Sequence, residues 1–312
     1  MGNMKALLFG NGLNQLNGYT TWNDLVKRIN DKDDKHKIPN TLHYEAQILQ
    51  KPYKMAEAIT YNGESVTYND DEVTFTVGTE SSFKNGVAHE MKGYVSNEVY
   101  QRVASIEGID HYLTTNYDQV LKQTLEGIGY SEVEHVRAEN TYSLRRRHSL
   151  QNTDGTLKHI WNIHGEIDAP QTIMLGLYQY CGSVGRISEY MNGKYKYKRE
   201  KQIQTMPKLL ERLKDGIEEP FSWIDLFFVA DIYMIGFGLL YDEIDLWWVL
   251  TRRKRLIRQG YDIKNRVFYC GNVDTGKEIL FATMGVEVIK PDAAKGDYMG
   301  QYMSLIDKIK RI

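Results

Sequence analysis

Four short segments carry the residue types that chemistry needs. They are Gly10-Asn11-Gly12-Leu13-Asn14, Thr114-Thr115-Asn116-Tyr117-Asp118, Trp161-Asn162-Ile163-His164-Gly165-Glu166 and Gly236-Phe237-Gly238-Leu239. The glycine pairs let backbone N–H groups approach a diphosphate, and a helix starting behind the first pair would favour the anion. A tight turn is the plainer reading of Gly-x-Gly. Asn116 offers a carboxamide that can hold a ribose hydroxyl or a water. Thr115 and Asp118 flank it, and a strand end followed by Asn and Asp also reads as a helix N-cap. His164 supplies an imidazole, the side-chain type suited to general-base work near neutral pH. Glu166 can orient His164 or lie in solvent. Further on, Asp242 reads as the N-cap of a helix and Asp245 as a first-turn carboxylate favoured by its dipole.

These residues need a frame. Short apolar runs at 5–9, 111–115, 133–136, 158–163, 228–235, 266–271 and 286–289 are rich in β-branched or aromatic residues and read as strands. Helical spacing marks 22–29, 117–125, 207–213 and 242–257. The alternation predicts an α/β fold, Rossmann-like and doubly wound, with a mostly parallel sheet. All four segments begin where a strand ends, the place where open parallel sheets bind ligands. Stretches at about 30–108 and 169–221 interrupt the alternation. They read as largely helical insertions within a single domain of residues 1–312. In the first, 42–58 looks helical and 61–78 looks like a hairpin with Asn-Gly and Asn-Asp turn signals. The second holds a basic, tyrosine-containing stretch at 191–201.

In their order, the four segments resemble the Sir2 (sirtuin) superfamily. Its pattern is a Gly-Ala-Gly-x-Ser loop, a Thr-Gln-Asn-x-Asp segment, a His-Gly pair and a Gly-Thr/Tyr-Ser type loop. Here Asn11 and Asn14 stand where the family has Ala and Ser. Sirtuin deacylases carry two Cys-x-x-Cys pairs after the His-Gly. The corresponding region here holds Cys181 alone, so no zinc is expected and no metal ligand is assigned. Gly18-Tyr19-Thr20-Thr21-Trp22 replaces the family's Pro-Asp-Phe-Arg. These departures bring the chain closer to the zinc-free bacterial Sir2-like NAD hydrolases of anti-phage defence. The resemblance implies NAD as substrate and cleavage of its nicotinamide–ribose bond. It implies Asn116 and His164 as catalytic residues. Gly10, Asn11, Gly12, Asn14, Thr115, Asp118, Gly236 and Gly238 would contact the cofactor. A homo-oligomer is expected, as is a partner protein such as a helicase-type ATPase. Two rivals stand beside this: a sensor that holds NAD or ADP-ribose without turnover, and an acceptor-dependent ADP-ribosyltransferase or deacylase.

The formal net charge of -2 gives no global field toward nucleic acid or an anionic membrane. Arg145-Arg146-Arg147 and the basic run 194–201 leave nucleic acid open as a partner, with solvated surface the plainer reading. Arg252-Arg253-Lys254-Arg255 suits a helix C-terminus. The 2 cysteines exclude a disulfide scaffold and suit a reducing cytoplasm. The start of the sequence lacks the pattern of a signal peptide. The longest apolar run, 227–240, is broken by Asp231 and two glycines and is too short to span a bilayer. The 22 tyrosines suit either partly buried positions or interfaces. Trp247 and Trp248 read as burying against the sheet or serving oligomer contacts.

Overall fold

Strand β1 (Met4–Phe9) reads as a continuous apolar run because both of its faces are covered. Leu7 and Phe9 point into one hydrophobic cluster, and Ala6 and Leu8 into another on the opposite face. The period of two thus divides a single strand between two cores. The structure is a computed structural model describing residues 4–19, 41–42, 44–45, 61–62, 65–70, 73–78, 80–137, 139, 141–199 and 202–312. For 61–62, 65–70, 73–78 and 82 it describes the backbone alone. The helix expected at 22–29 and most of that at 42–58 lie outside the described residues.

The remaining strands, in chain order, are β2 (Tyr61–Asn62), β3 (Ser65–Asp70), β4 (Val73–Gly78), β5 (Ile109–Thr114), β6 (Ser131–Val136), β7 (Arg147–Gln151), β8 (Leu157–Asn162), β9 (Lys196–Arg199), β10 (Gln202–Thr205), β11 (Ala230–Ile235), β12 (Val267–Cys270) and β13 (Val286–Ile289). Seven of them join β1 in the eight-stranded central sheet, in the order β13-β12-β11-β1-β5-β8-β7-β6. From β13 to β8 every pairing is parallel, and β7 and β6 close that edge antiparallel. This is the Rossmann-like α/β architecture expected. The chain runs from β1 outward through β5 and β8, then returns to β11 on the other side of β1. The switch point therefore lies between β1 and β11, where such sheets open a crevice. The register aligns the strand tips. Phe9 pairs with Thr114 and Ile235, Thr114 with Asn162, and Ile235 with Cys270.

Helices Glu98–Ala104, Val120–Gly127 and Tyr298–Arg311 pack on the first face through Val99, Leu121 and Leu305. Helices Leu177–Met191, Trp223–Val229, Ile244–Arg258 and Thr275–Met284 cover the second through Ile187, Phe227, Leu246 and Phe281. The apolar run 228–235, expected as one strand, starts as the end of a helix and becomes a strand at Ala230. An unbroken apolar run does not tell the two apart. Ser222 decides it: its side chain caps Ile224 N–H at 3.1 Å and starts the helix at Trp223.

The described parts of the insertions carry strands beside their helices. Residues 61–62, 65–70 and 73–78 form a three-stranded antiparallel sheet, β2-β3-β4, in the stretch expected as a hairpin. The basic stretch folds into the hairpin β9–β10, with Tyr195 buried and Lys196 and Lys198 exposed. The helix Leu177–Met191 belongs to the second core rather than to a satellite. Strand β7 is also a correction, because Arg145, Arg146 and Arg147 are not solvated surface. Arg146 is buried beside Glu166 at 3.7 Å, Arg145 lies over the rings of Tyr197 and Phe221, and Arg147 over Trp161. Trp247 and Trp248 are partly buried, packed against the second core. Among the described residues, no helix is long and apolar enough to cross a membrane.

Candidate active site

The strand tips converge on a cleft of about 590 Å³, within the range that holds small-molecule ligands. Asn11, Gly12, Thr115, Asn116, His164, Gly236 and Gly238 line it. Residues from all four segments therefore share one cavity.

The glycine loops meet at the switch point. Gly12 N–H donates to the Gly236 carbonyl at 2.9 Å. A Cβ at Gly12 would lie 2.7 Å from that oxygen, and Gly236 sits at φ +59°. Both positions need glycine so that two backbones can touch. Gly10 is not among the lining residues. A Cβ there would lie 2.7 Å from the Phe237 ring. Its glycine serves the packing between loops rather than open space for a diphosphate. The segment after Gly10 is a 3-10 helix, Asn11–Asn17, where the sequence suggested an α-helix start.

Asn14 and Asp118 do not line the cleft either. Both are buried behind it, and the Asn14 amide donates to Asp118 at 2.8 Å and to Asn11 at 3.0 Å. Tyr100 donates its hydroxyl to the Asn14 carbonyl at 2.8 Å. Asp118 also accepts Val120 N–H at 3.0 Å, so it takes up the first N–H of the following helix as well as anchoring Asn14. Burial raises the Asp118 carboxyl above its ordinary value, against the bonds from Val120 and Asn14. These two residues hold Asn11 from behind.

Asn116 is buried, and its backbone N–H is turned onto the Thr114 hydroxyl at 3.0 Å. Its side-chain Nδ2 has no hydrogen-bond partner among the described residues. A buried amide without a partner costs about 1–3 kcal/mol, which a bound polar group would recover.

His164 is buried at the tip of β8. Gly165 beside it adopts φ +110°, and a Cβ there would meet the Thr172 carbonyl at 2.5 Å. The glycine therefore permits a tight backbone bend. The His164 carbonyl accepts Met174 N–H at 2.8 Å, which fixes that bend. His164 Nε2 lies 3.1 Å from Asp245 Oδ2, and Ser183 donates to the same oxygen at 3.1 Å. The Tyr180 ring packs edge-on at 5.1 Å. With Nε2 committed to Asp245, Nδ1 is the nitrogen available for proton exchange. A carboxylate accepting the Nε2 proton supports the imidazolium formed when Nδ1 takes another.

Asp245 lies in the first turn of Ile244–Arg258, as expected, and is also the buried partner of His164. Two sequence expectations change here. Glu243, not Asp242, occupies the N-cap position of Ile244–Arg258, and its carboxylate accepts Leu240 N–H at 2.8 Å. Glu166 neither orients His164 nor lies in solvent. It is buried against His148, His135 and Arg146. Sequence reasoning also passed over Glu243 and Tyr180, which line the cleft, and Lys277, which braces its rim by donating to the carbonyls of Gly238 and Leu239. Burial, then the charges of Asp245 and Asp242, push the Glu243 carboxyl well above its ordinary value. No local pattern marks these residues, since their partners lie far away in the chain.

Residues 110–210 match the family model described as SIR2-like domain. This stretch is Sir2-like. It contains Asn116, Asp118, His164 and Gly165, while both glycine loops fall outside it. The Sir2-like stretch also reaches through much of the second insertion, including the helix Leu177–Met191 that supplies Tyr180 and Ser183 beside His164. No curated protein matches the sequence.

Proposed function

We propose that the cleft binds NAD and hydrolyses its nicotinamide–ribose bond. Nicotinamide leaves as a neutral base, the C–N bond breaks, and the ribose passes through an oxocarbenium-like state, as in glycoside cleavage. Water forms the new C–O bond, and its proton passes to Nδ1 of His164, with Asp245 holding the ring. The products are nicotinamide and ADP-ribose. Asn116 Nδ2 would donate to a ribose hydroxyl or to the oxygen of the attacking water. Asn11, Gly12, Thr115, Gly236 and Gly238 would line the dinucleotide, with Gly10, Asn14 and Asp118 supporting them.

One observation carries this reading: an unpartnered buried amide and a carboxylate-held imidazole belong to residues that line the same cleft at the sheet's switch point. Pure binding has no need of the imidazole–carboxylate pair. The resemblance to zinc-free Sir2-like proteins extends the proposal to NAD depletion during anti-phage defence in the cytoplasm. It extends also to activation in a homo-oligomer or by a partner such as a helicase-type ATPase.

The test is to incubate the pure protein with NAD and separate the products by chromatography. Nicotinamide and ADP-ribose should appear in equal amounts. Asn116→Ala and His164→Ala should abolish both while keeping a native far-UV spectrum. Wild-type rates in both variants would sink the assignment. NAD binding without cleavage, with and without a partner, would favour a sensor. Release of nicotinamide only with an added acceptor would favour a transferase or deacylase.

A further inference from the structure

A second cluster of titratable groups stands at the far edge of the sheet, outside the cleft. It is built on the hairpin β6–β7. One oxygen of Glu132 and one nitrogen each of His135 and His148 lie within 4.8 Å of one another. The two imidazoles stack at 3.8 Å. Glu166, fully buried, faces both rings: its oxygens lie 3.0 Å from His148 Nε2 and 3.3 Å from His135 Nε2.

The donor count exposes a mismatch. His148 also places Nδ1 2.5 Å from Glu132 Oε1. Both nitrogens of this buried ring thus face carboxylate oxygens, which only accept. A neutral imidazole has a single N–H. If Nε2–H serves Glu166, the Nδ1 lone pair points at the anionic oxygen of Glu132. That contact repels unless a proton bridges the two atoms or a metal ion parts and joins them. His135 repeats the arrangement: Nε2 faces Glu166, and Nδ1 accepts from Arg137 Nε at 3.0 Å. With Nε2–H on Glu166, each imidazole keeps an Nδ1 lone pair, that of His148 beside Glu132 and that of His135 beside Arg137. Buried Glu166 fixes both tautomers from behind. A carboxylate that takes the second N–H of a histidine is the usual support of a metal ligand.

We propose that Glu132, His135 and His148 bind a divalent transition metal of the zinc class, through Oε1 and two Nδ1 atoms, with Glu166 as the supporting carboxylate. Two nitrogens and one oxygen suit zinc or cobalt over magnesium, which prefers oxygen alone. Zinc bonds of about 2.0–2.2 Å put neighbouring donors about 3.4 Å apart. Closing around an ion needs shifts of about 1 Å. Glu132 and Arg137 are exposed and can supply them, with Arg137 swinging off His135. The ion would fasten the edge hairpin to Glu166, and through Glu166 to the loop that carries His164. The absence of a cysteine-based zinc site thus leaves room for a different one, elsewhere in the fold.

Untagged protein stripped with a chelator is titrated with Zn²⁺, Co²⁺ and Mg²⁺. The expected result is one Zn²⁺ per chain, a rise in Tm with Zn²⁺ or Co²⁺ but not with Mg²⁺, and Co²⁺ absorption without a thiolate band. Glu132→Gln alters an exposed side chain and should keep the fold while weakening zinc binding at least tenfold. His148→Gln should abolish binding, and His164→Ala should leave it unchanged. Absence of saturable binding to the folded protein, equal affinity in Glu132→Gln, or a thiolate band from Cys181 would each overturn the proposal. If His148 titrates as an imidazolium and no metal binds, a proton is the cation and the metal site is refuted.

Discussion

His164 and His148 are both buried, and each is held through Nε2 by a buried carboxylate, Asp245 at 3.1 Å and Glu166 at 3.0 Å. What differs is the other side of each ring. His164 opens onto a cleft of about 590 Å³ shared with Asn116. His148 opens onto Glu132 and stacks on His135. A histidine–carboxylate bond therefore does not mark chemistry by itself. The space left beside the ring decides whether a substrate or only a cation can reach it.

Mutation can break this contrast. The largest effect is expected at the cleft: His164→Ala or Asn116→Ala should slow NAD cleavage by about 1,000-fold or more, measured as nicotinamide release. At the edge, Glu166→Gln should act on stability instead. It deprives His148, His135 and Arg146 of a buried charge, and a loss of about 2–4 kcal/mol in urea unfolding is expected, with cleavage per folded molecule within tenfold of wild type. A loss of cleavage without a loss of stability would reverse the roles of the two sites. Asp245→Asn should lower kcat by about 100-fold and leave KM nearly unchanged, since it acts through His164.

The smallest effect is a pH dependence at a third histidine. Burial, then the neighbouring His159 and Arg147, lower His111 from 6.5 to about 3. The unfolded chain therefore binds this proton first. The contribution is complete above pH 6.5 and lost as pH falls from there toward about 3. Wild-type stability should drop across that window, and His111→Gln should flatten the slope by about 1–2 kcal/mol in unfolding measured at pH 7 and pH 4.5.

Much of the site was legible because strand tips are local features. A short apolar run ending in Gly, Asn or His places that residue at the crevice, and Asn116, His164, Gly12 and Gly236 were found that way. Partners were not legible. Asp245 looked like an ordinary first-turn carboxylate, since its bond to His164 spans 81 residues. Strand β7 was missed because Arg147 and His148 at its start, behind Arg146, lack apolar alternation. Arg146 and His148 are buried and Arg147 partly so, since Glu166, Glu132 and Trp161 meet them from other elements. The helix at Trp223 was hidden in an apolar run that both structures tolerate, although Ser222 carried the capping signal.

The position of β1 has a consequence for synthesis. Its right-hand neighbour, β11, ends at residue 235. A ribosome adding about 5–20 residues per second needs roughly 10–45 seconds to travel from one to the other. Until then Gly12 lacks Gly236, and His164 lacks Asp245. The nascent chain therefore cannot complete the cleft before most of it has been translated.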